Sequence, residues 1–338
     1  MSGKGRGAFL ERAHLHERAG GDNLASVIVP HYRDVQSLRQ SLSSLQAQHH
    51  RPLEIIVVDD GSPEAVFAEV MRCCDDVAQC IRVPHGGPAA ARNCGAALAK
   101  GSILVFCESD AVYPPEYVGS IISAIAGCKD GSVVAASNVG RRVLAETKGW
   151  GHRYARVLYA AVDDAIRRGQ RRTGAWAFDA RWFRASGGYR EDLRVGEDME
   201  LVERVIRAGL KVGYGGDVPF LHREPASIYQ LFRRSYRSGA VRPRASVVAL
   251  GATSVAVVVV AGLWHKAGIP PAAGALVVLA AVTLFMDPTW RLTMNFAARN
   301  GSGREMMIVS VGRLAWAAGY VCGAIFGWTK GLRASLRR

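Results

Sequence analysis

Five short stretches of the chain set polar side chains where they could act together. "FCESDA" (106–111) places Glu108 and Asp110 on either side of Ser109, at the end of an apolar run. Hard divalent cations take oxygen ligands, and Mg²⁺ commonly uses one or two carboxylates together with substrate phosphates. Two acids at i and i+2 in a turn can face one such ion; a pair of solvated loop acids or a helix cap fits the same residues. "VVDDGS" (57–62) sets Asp59 and Asp60 after a second apolar run, able to accept hydrogen bonds from a base or sugar, or to shape a strand-to-helix turn. "GGPAAARNCGAALAKG" (86–101) is glycine-rich but matches neither GxxxxGK[ST] nor GxGxxG. Its Arg92 can pair a diphosphate through two N–H groups or lie on the surface. In "GEDMELVERVIRAGL" (196–210), Glu197 and Asp198 open a helix. There an acid is favoured by the helix dipole, or serves as a rigidly held carboxylate aimed at a substrate. "FLHR" offers His222 as a third ligand beside the acids.

The elements that must position these groups follow from periodicity. "ASVIVP" (25–30), "LEIIVVDD" (53–60), "CIRV" (80–83), "ILVFC" (103–107) and "SVVAAS" (132–137) are short apolar, β-branched runs with the length of buried strands. Between them lie helical patterns: Val35, Leu38, Leu42 and Leu45 behind a capping Asp34, a helix opened by Pro88, and one around 116–126. Leu201, Val202, Val205 and Ile206 form one face of a helix that Gly209 ends. This alternation predicts an α/β fold, an open and mostly parallel sheet covered on both faces. Ligands bind such sheets beyond the carboxyl ends of the strands. Pro30, His31 and Tyr32, then Asp59 and Asp60, then Glu108, Ser109 and Asp110 should therefore line one rim.

Charge and hydropathy divide the rest. The net charge is +14. Residues 1–22 are Gly-rich and charged and read as a flexible basic tail, without a signal-peptide core. The α/β unit is expected over 23–224. Over 225–245, "PASIYQLFRRSYRSGAVRPR" sets Ile228, Leu231, Phe232 and Tyr236 at helical spacing with arginines between, the pattern of an interfacial helix against anionic lipid or of a solvated helix packed on its neighbour. Over 246–338, three apolar stretches are candidate bilayer helices, two or three of them spanning. The third carries Arg313, which is costly at mid-bilayer. Arginines 233, 234, 237, 242 and 244 precede the first stretch, so the positive-inside rule puts the α/β unit in the cytoplasm of a multi-pass cell-membrane protein. The seven cysteines form no CxxC pair and read as reduced thiols. Because the arginines gather beside the apolar stretches, no nucleic-acid partner is expected.

Taken in order, "SVIVPHY", "EIIVVDDGS", "ARNCG", "ILVFCESDA", "GGY", "GEDMEL" and "FLHR" resemble the family 2 inverting glycosyltransferases of GT-A fold, over about residues 25–223. The resemblance implies that the unit over 23–224 is catalytic, with a nucleotide-sugar donor, a UDP-sugar being favoured, and a divalent cation, Mn²⁺ or Mg²⁺. It implies that Tyr32 and Asp60 lie near the base and Arg92 near the donor, with Pro30, Glu108, Ser109 and Glu197 on the donor side. Asp110 matches the metal-contacting end of the family's DxD motif, His222 a histidine near metal or diphosphate, and Asp198 the general base. Glu108 stands where the first DxD acid is expected, and His31 where threonine is common. "QLFRR" (230–234) is similar to the QxxRW signature of processive synthases, with Arg234 in place of tryptophan, so transfer of a single sugar is favoured.

The implied acceptor is a hydroxyl on a lipid-linked or other envelope glycan. An exposed aspartate at position 198 would be ionised near neutral pH, as a base must be. Transfer to a polyprenyl phosphate, whose oxygen is already ionised, is the alternative within enzymes; an inactive sugar-nucleotide-binding membrane scaffold is the alternative outside them.

Overall fold

The structure is a computed structural model that describes residues 24–127, 131–137, 141–143, 149–167, 176–193, 196–216 and 218–241, with Ile308 and Val311. The tail 1–22 and, those two residues apart, the apolar stretches after 245 lie outside the described residues. Among the described residues no helix is long and apolar enough to cross a membrane.

The chain order is β1 (Ala25–His31), α1 (Val35–Gln46), β2 (Leu53–Asp60), α2 (Glu64–Cys74), β3 (Gln79–Val83), α3 (Pro88–Leu98), β4 (Ile103–Phe106), β5 (Ala111–Val112), α4 (Tyr117–Ala126), β6 (Val133–Ser137), β7 (Arg141–Val143), α5 (Trp150–Arg167), β8 (Ala177–Asp179), α6 (Ala180–Ala185), α7 (Glu197–Arg207), β9 (Lys211–Tyr214), β10 (Phe220–His222) and α8 (Ile228–Val241). It divides into two compact units, one of residues 1–144 and 172–223, the other of 145–171 and 224–338.

In the first unit a seven-stranded sheet runs β3-β2-β1-β4-β8-β6-β9. β1, β2, β3 and β4 pair in parallel, as do β6 and β9. Only β8 runs against its neighbours. Alternate side chains of each strand feed two cores. Val27, Val29, Val57 and Val105 pack with Leu38, Leu42 and Leu45 of α1 and with Ile121 of α4. Ile28, Ile56, Val58, Leu104 and Phe106 pack with α3, α6 and α7 on the other face. Full burial of each such leucine contributes about 1.5–3 kcal/mol. α1 starts where the Asp34 side chain accepts from the Ser37 N–H at 3.1 Å.

The register puts the functional segments on one edge. His31 lies opposite Asp59, Asp60 opposite Val83, and Ile28 opposite Phe106, so the chain leaves β1, β2, β3 and β4 at the same side. α3 sits unusually close to the sheet because its inward face is small: a Cβ on Gly95 would stand 2.5 Å from Ile28 Cγ2. A second sheet, β5-β10-β7, lies beyond β4 and carries His222 at its middle strand's end. Cys73, Cys74, Cys80, Cys94 and Cys107 are free thiols.

In the second unit Tyr154 of α5 and Leu231 of α8 are buried together with Ile308. The "QLFRR" residues are occupied locally. Gln230 Oε1 accepts from the Ser227 N–H at 3.3 Å while the Gln230 N–H donates to Ser227 Oγ at 3.1 Å, a capping box that opens α8, and Oε1 also accepts from the Ala226 N–H at 2.8 Å. Arg234 Nη1 donates to Glu224 at 2.7 Å, and Tyr159 donates to the other oxygen of the same carboxylate.

Candidate active site

The turn after β4 is built before it is chemical. The Glu108 N–H donates to the hydroxyl of buried Tyr113 at 2.7 Å, and Ser41 Oγ donates to the Glu108 carbonyl at 3.2 Å. Tyr113 is wedged between Tyr117 and Phe220, and burial pushes its pKa well up, so its phenol stays protonated. Pairing of β5 with β10 sets His222 across from Ala111, and the Arg223 N–H donates to the Asp110 carbonyl at 3.0 Å. His222 Nε2 thereby lies 3.2 Å from Glu108 Oε2 and 3.3 Å from Asp110 Oδ1. Ligand atoms of the three residues all fall within 4.8 Å of one another, close enough to hold one metal ion. Two carboxylates and an imidazole can hold Mn²⁺, which tolerates a nitrogen ligand among oxygens more readily than Mg²⁺. Glu108 thus stands with the candidate ligands; Ser109, at the tip of the turn, is partly buried.

The two acids of "VVDDGS" separate. Asp59 is fully buried and bonded to His31 Nδ1 at 3.0 Å and to the Ser62 N–H and hydroxyl at 2.9 and 2.6 Å. It ties β1, β2 and the turn together. Asp60 faces the other way. It accepts from the Gly86 and Gly87 N–H groups at 2.8 and 3.0 Å, at the start of α3, and lies 2.8 Å from His85 Nδ1. Glycine is required at position 61, directly after them: its φ is +74°, and a Cβ would meet the His85 backbone nitrogen at 2.8 Å. The His85 ring stacks on Tyr32, centroids 4.8 Å apart, and Tyr32 is 40% exposed. Pro30 is the last residue but one of β1 and is partly buried.

Arg92 is not a surface arginine. It is 8% exposed, and its Nη1 donates to Glu197 Oε1 at 2.7 Å. Its guanidinium lies 5.5 Å from the centre of the Tyr189 ring. Burial works against its charge, but Tyr189, Glu197 and Glu108 outweigh that and its pKa is raised. Asp198 follows Glu197 in the first turn of α7, behind Gly196 at φ 81°. The expectation of an exposed aspartate with an ordinary pKa is corrected here. Asp198 is partly buried, and burial first, then the Glu197 charge, hold its pKa above the usual carboxylate range, against the opposing pull of the Met199 N–H and Arg92.

Among the residues that sequence reasoning passed over, His85, Asn93 and Tyr189 bear most on the site. The strand-end rule would have found His85, since the 84–87 loop leaves β3 on the same edge as Asp60.

Residues 26–180 match the family model described as glycosyl transferase family 2. The pre-mycofactocin glycosyltransferase of Mycobacterium tuberculosis is 28% identical over 233 residues, 65% of this chain and 47% of that protein. The succinoglycan biosynthesis protein ExoW of Rhizobium meliloti is 31% identical over 99 residues, 28% of this chain and 31% of that protein. The chain spans under half the length of the curated relatives it matches. Among solved structures, a mannosyltransferase from Pyrobaculum calidifontis, PcManGT, in complex with GDP-Man and Mn²⁺ aligns over 97% of this chain and 95% of its own, with a TM-score of 0.51 and 19% identity. That likeness is one of fold.

Proposed function

We propose that the protein is an inverting glycosyltransferase that moves one sugar from a nucleotide-sugar donor to a hydroxyl acceptor. The observation that carries the reading is the convergence of Glu108, Asp110 and His222 at the strand-end rim of an α/β unit whose residues 26–180 match glycosyl transferase family 2. These three residues would hold a divalent cation, which when bound neutralises charge on the departing diphosphate. Tyr32 offers an exposed ring to the base and Asp60 a carboxylate to its N–H groups. Asp198 takes the proton of the acceptor hydroxyl as that oxygen attacks the anomeric carbon from the face opposite the diphosphate. A carboxylate held above its usual pKa is a stronger base once ionised. That favours a hydroxyl acceptor over a polyprenyl phosphate, which needs no base.

The binding of GDP-Man and Mn²⁺ by a protein of the same fold supports the donor class and the cation. The apolar stretches after residue 245 and the exposed Tyr229 of α8, with Arg233 over its ring at 5.9 Å, support membrane association and a lipid-linked acceptor. The test is a panel of UDP- and GDP-sugars with Mn²⁺, read as released nucleoside diphosphate with and without lipid-linked acceptors. Release with one donor, lost in Asp110→Ala, is expected. No release with any donor would refute glycosyl transfer, and product found only on polyprenyl phosphate would refute the hydroxyl acceptor.

A further inference from the structure

We propose that Arg92, with Asn93 beside it on α3, is a positioning residue for the general base: it holds the 187–193 loop and the first turn of α7 so that Asp198 meets the acceptor hydroxyl. This rests on the glycosyl-transfer reading above and replaces the expectation that Arg92 grips the donor diphosphate.

The residues of "ARNCG" spend their polar groups on that loop. Arg92 Nη1 is bonded to Glu197, the residue before Asp198, and both side chains are only 10% exposed. Its guanidinium rests over Tyr189, which is buried edge-on against Phe106, Phe178 and Phe183 and so forms a rigid floor. Asn93 bonds both backbone groups of Tyr189: its Oδ1 accepts from the N–H at 2.9 Å and its Nδ2 donates to the carbonyl at 2.8 Å. Nδ2 also reaches Glu191 Oε1 at 2.9 Å. The approach is so close that only glycine fits at position 188, where φ is +67° and a Cβ would stand 2.6 Å from Asn93 Oδ1. From α7, Arg204 donates to the Ser186 and Gly188 carbonyls. The loop is therefore clamped from two helices, and the α3 side of the clamp ends one residue from the base. A diphosphate clamp needs an accessible guanidinium fork; this one is buried with a nitrogen already on a carboxylate. Among the described residues, the groups facing Asp198 are Glu197, Arg92, Tyr189 and the Met199 N–H, and Arg92 is the one cation of these.

The experiment uses the full chain in detergent, with Arg92→Lys, Arg92→Met, Asn93→Ala and the charge-balanced pair Arg92→Met with Glu197→Gln, which leaves no orphaned buried charge. UDP and GDP with Mn²⁺ are titrated as binding probes. Turnover is measured at saturating donor across pH, and amide exchange is followed over 187–200. Arg92→Lys and the double variant should lose about 100-fold in kcat, the cost of a base misplaced by about an ångström. Nucleoside diphosphate affinity should stay within about threefold, since ground-state binding is untouched. Amide exchange over 187–193 should quicken in every variant. In Arg92→Met the acid limb of the pH–rate profile should move up by roughly one unit, because the cation is gone and Glu197 remains. Nucleoside diphosphate binding weakened tenfold or more, with unchanged exchange, would overturn the proposal in favour of a donor clamp. A wild type that transfers no sugar would sink the glycosyl-transfer reading alone. In that case exchange still decides: quickened exchange over 187–193 in the double variant upholds the clamp, and unchanged exchange overturns it.

Discussion

At the scale of single residues, Asp198 and the Glu108–Asp110–His222 group make the sharpest predictions. Because burial and Glu197 raise the Asp198 pKa, the proposed base is protonated, and would be idle, over a wider acid range than an ordinary aspartate near 3.9. The rate should fall on the acid side at a higher pH than an ordinary aspartate would give. Asp198→Asn should retain donor binding and lose about 10²–10⁴-fold in turnover, the usual worth of a general base. The same shift has a sign for stability. A carboxyl whose pKa is raised on folding favours the native state at low pH, and that contribution is lost as pH rises through the folded value. At neutral pH the buried charge is a cost, so Asp198→Asn should melt no lower than wild type, its amide oxygen still accepting from Met199; a clear drop in melting temperature would contradict the assignment. Metal binding can be read without turnover. Mn²⁺ at a hundred times its Kd should stabilise the fold by about 2.7 kcal/mol. That upward shift in melting temperature should vanish in Glu108→Ala as well as in Asp110→Ala; survival in Glu108→Ala would return Glu108 to the donor side.

At the scale of elements, α3 decides where the arginine goes. Its inward face of Ala89, Ala91, Gly95 and Ala96 lets the helix lie against β1 and β2, which sinks Arg92 toward α7. Gly95→Ala should therefore destabilise, although alanine is the better helix former by about 1 kcal/mol. Its methyl would stand 2.5 Å from Ile28, and overpacking of this kind costs about 1–3 kcal/mol. Thermal unfolding measures the balance, and an unchanged or raised melting temperature would show that the sheet yields to the helix. The same element shows what was legible in the sequence. β1, β2 and β4 announced themselves as continuous apolar runs, and their parallel register put the three polar strand ends on one edge. β5, β7, β8 and β10 did not, because two or three residues carry no periodicity, and nothing local tells β8 to run antiparallel. Arg92 was visible as chemistry, but its partner Glu197 lies 105 positions on, and only the docking of α3 and α7 on the same core brings them together. His85 follows β3 in a Pro-His-Gly-Gly turn that holds no acid, so composition alone does not mark that strand end.

At the scale of the whole molecule, two forces could hold the chain at a membrane, and they respond oppositely to salt. The net charge of +14 would draw it to an anionic surface, at about 1 kcal/mol for each basic residue near the headgroups. That attraction fades as the Debye length shrinks to about 3 Å in 1 M salt. Apolar runs of bilayer length, such as "ASVVALGATSVAVVVVAGLWH" at 245–265, would hold it by the hydrophobic effect, which salt does not weaken. We expect the full chain to sediment with membranes, to stay there through a 1 M salt wash, and to come free in detergent. Release by salt alone would mean that the runs after residue 245 do not lie in the bilayer and that the arginines of 233–244 make the attachment. The proposed glycosyl-transfer site would then be a peripheral one, and a lipid-linked acceptor, if that is the substrate, would have to reach it from the surface.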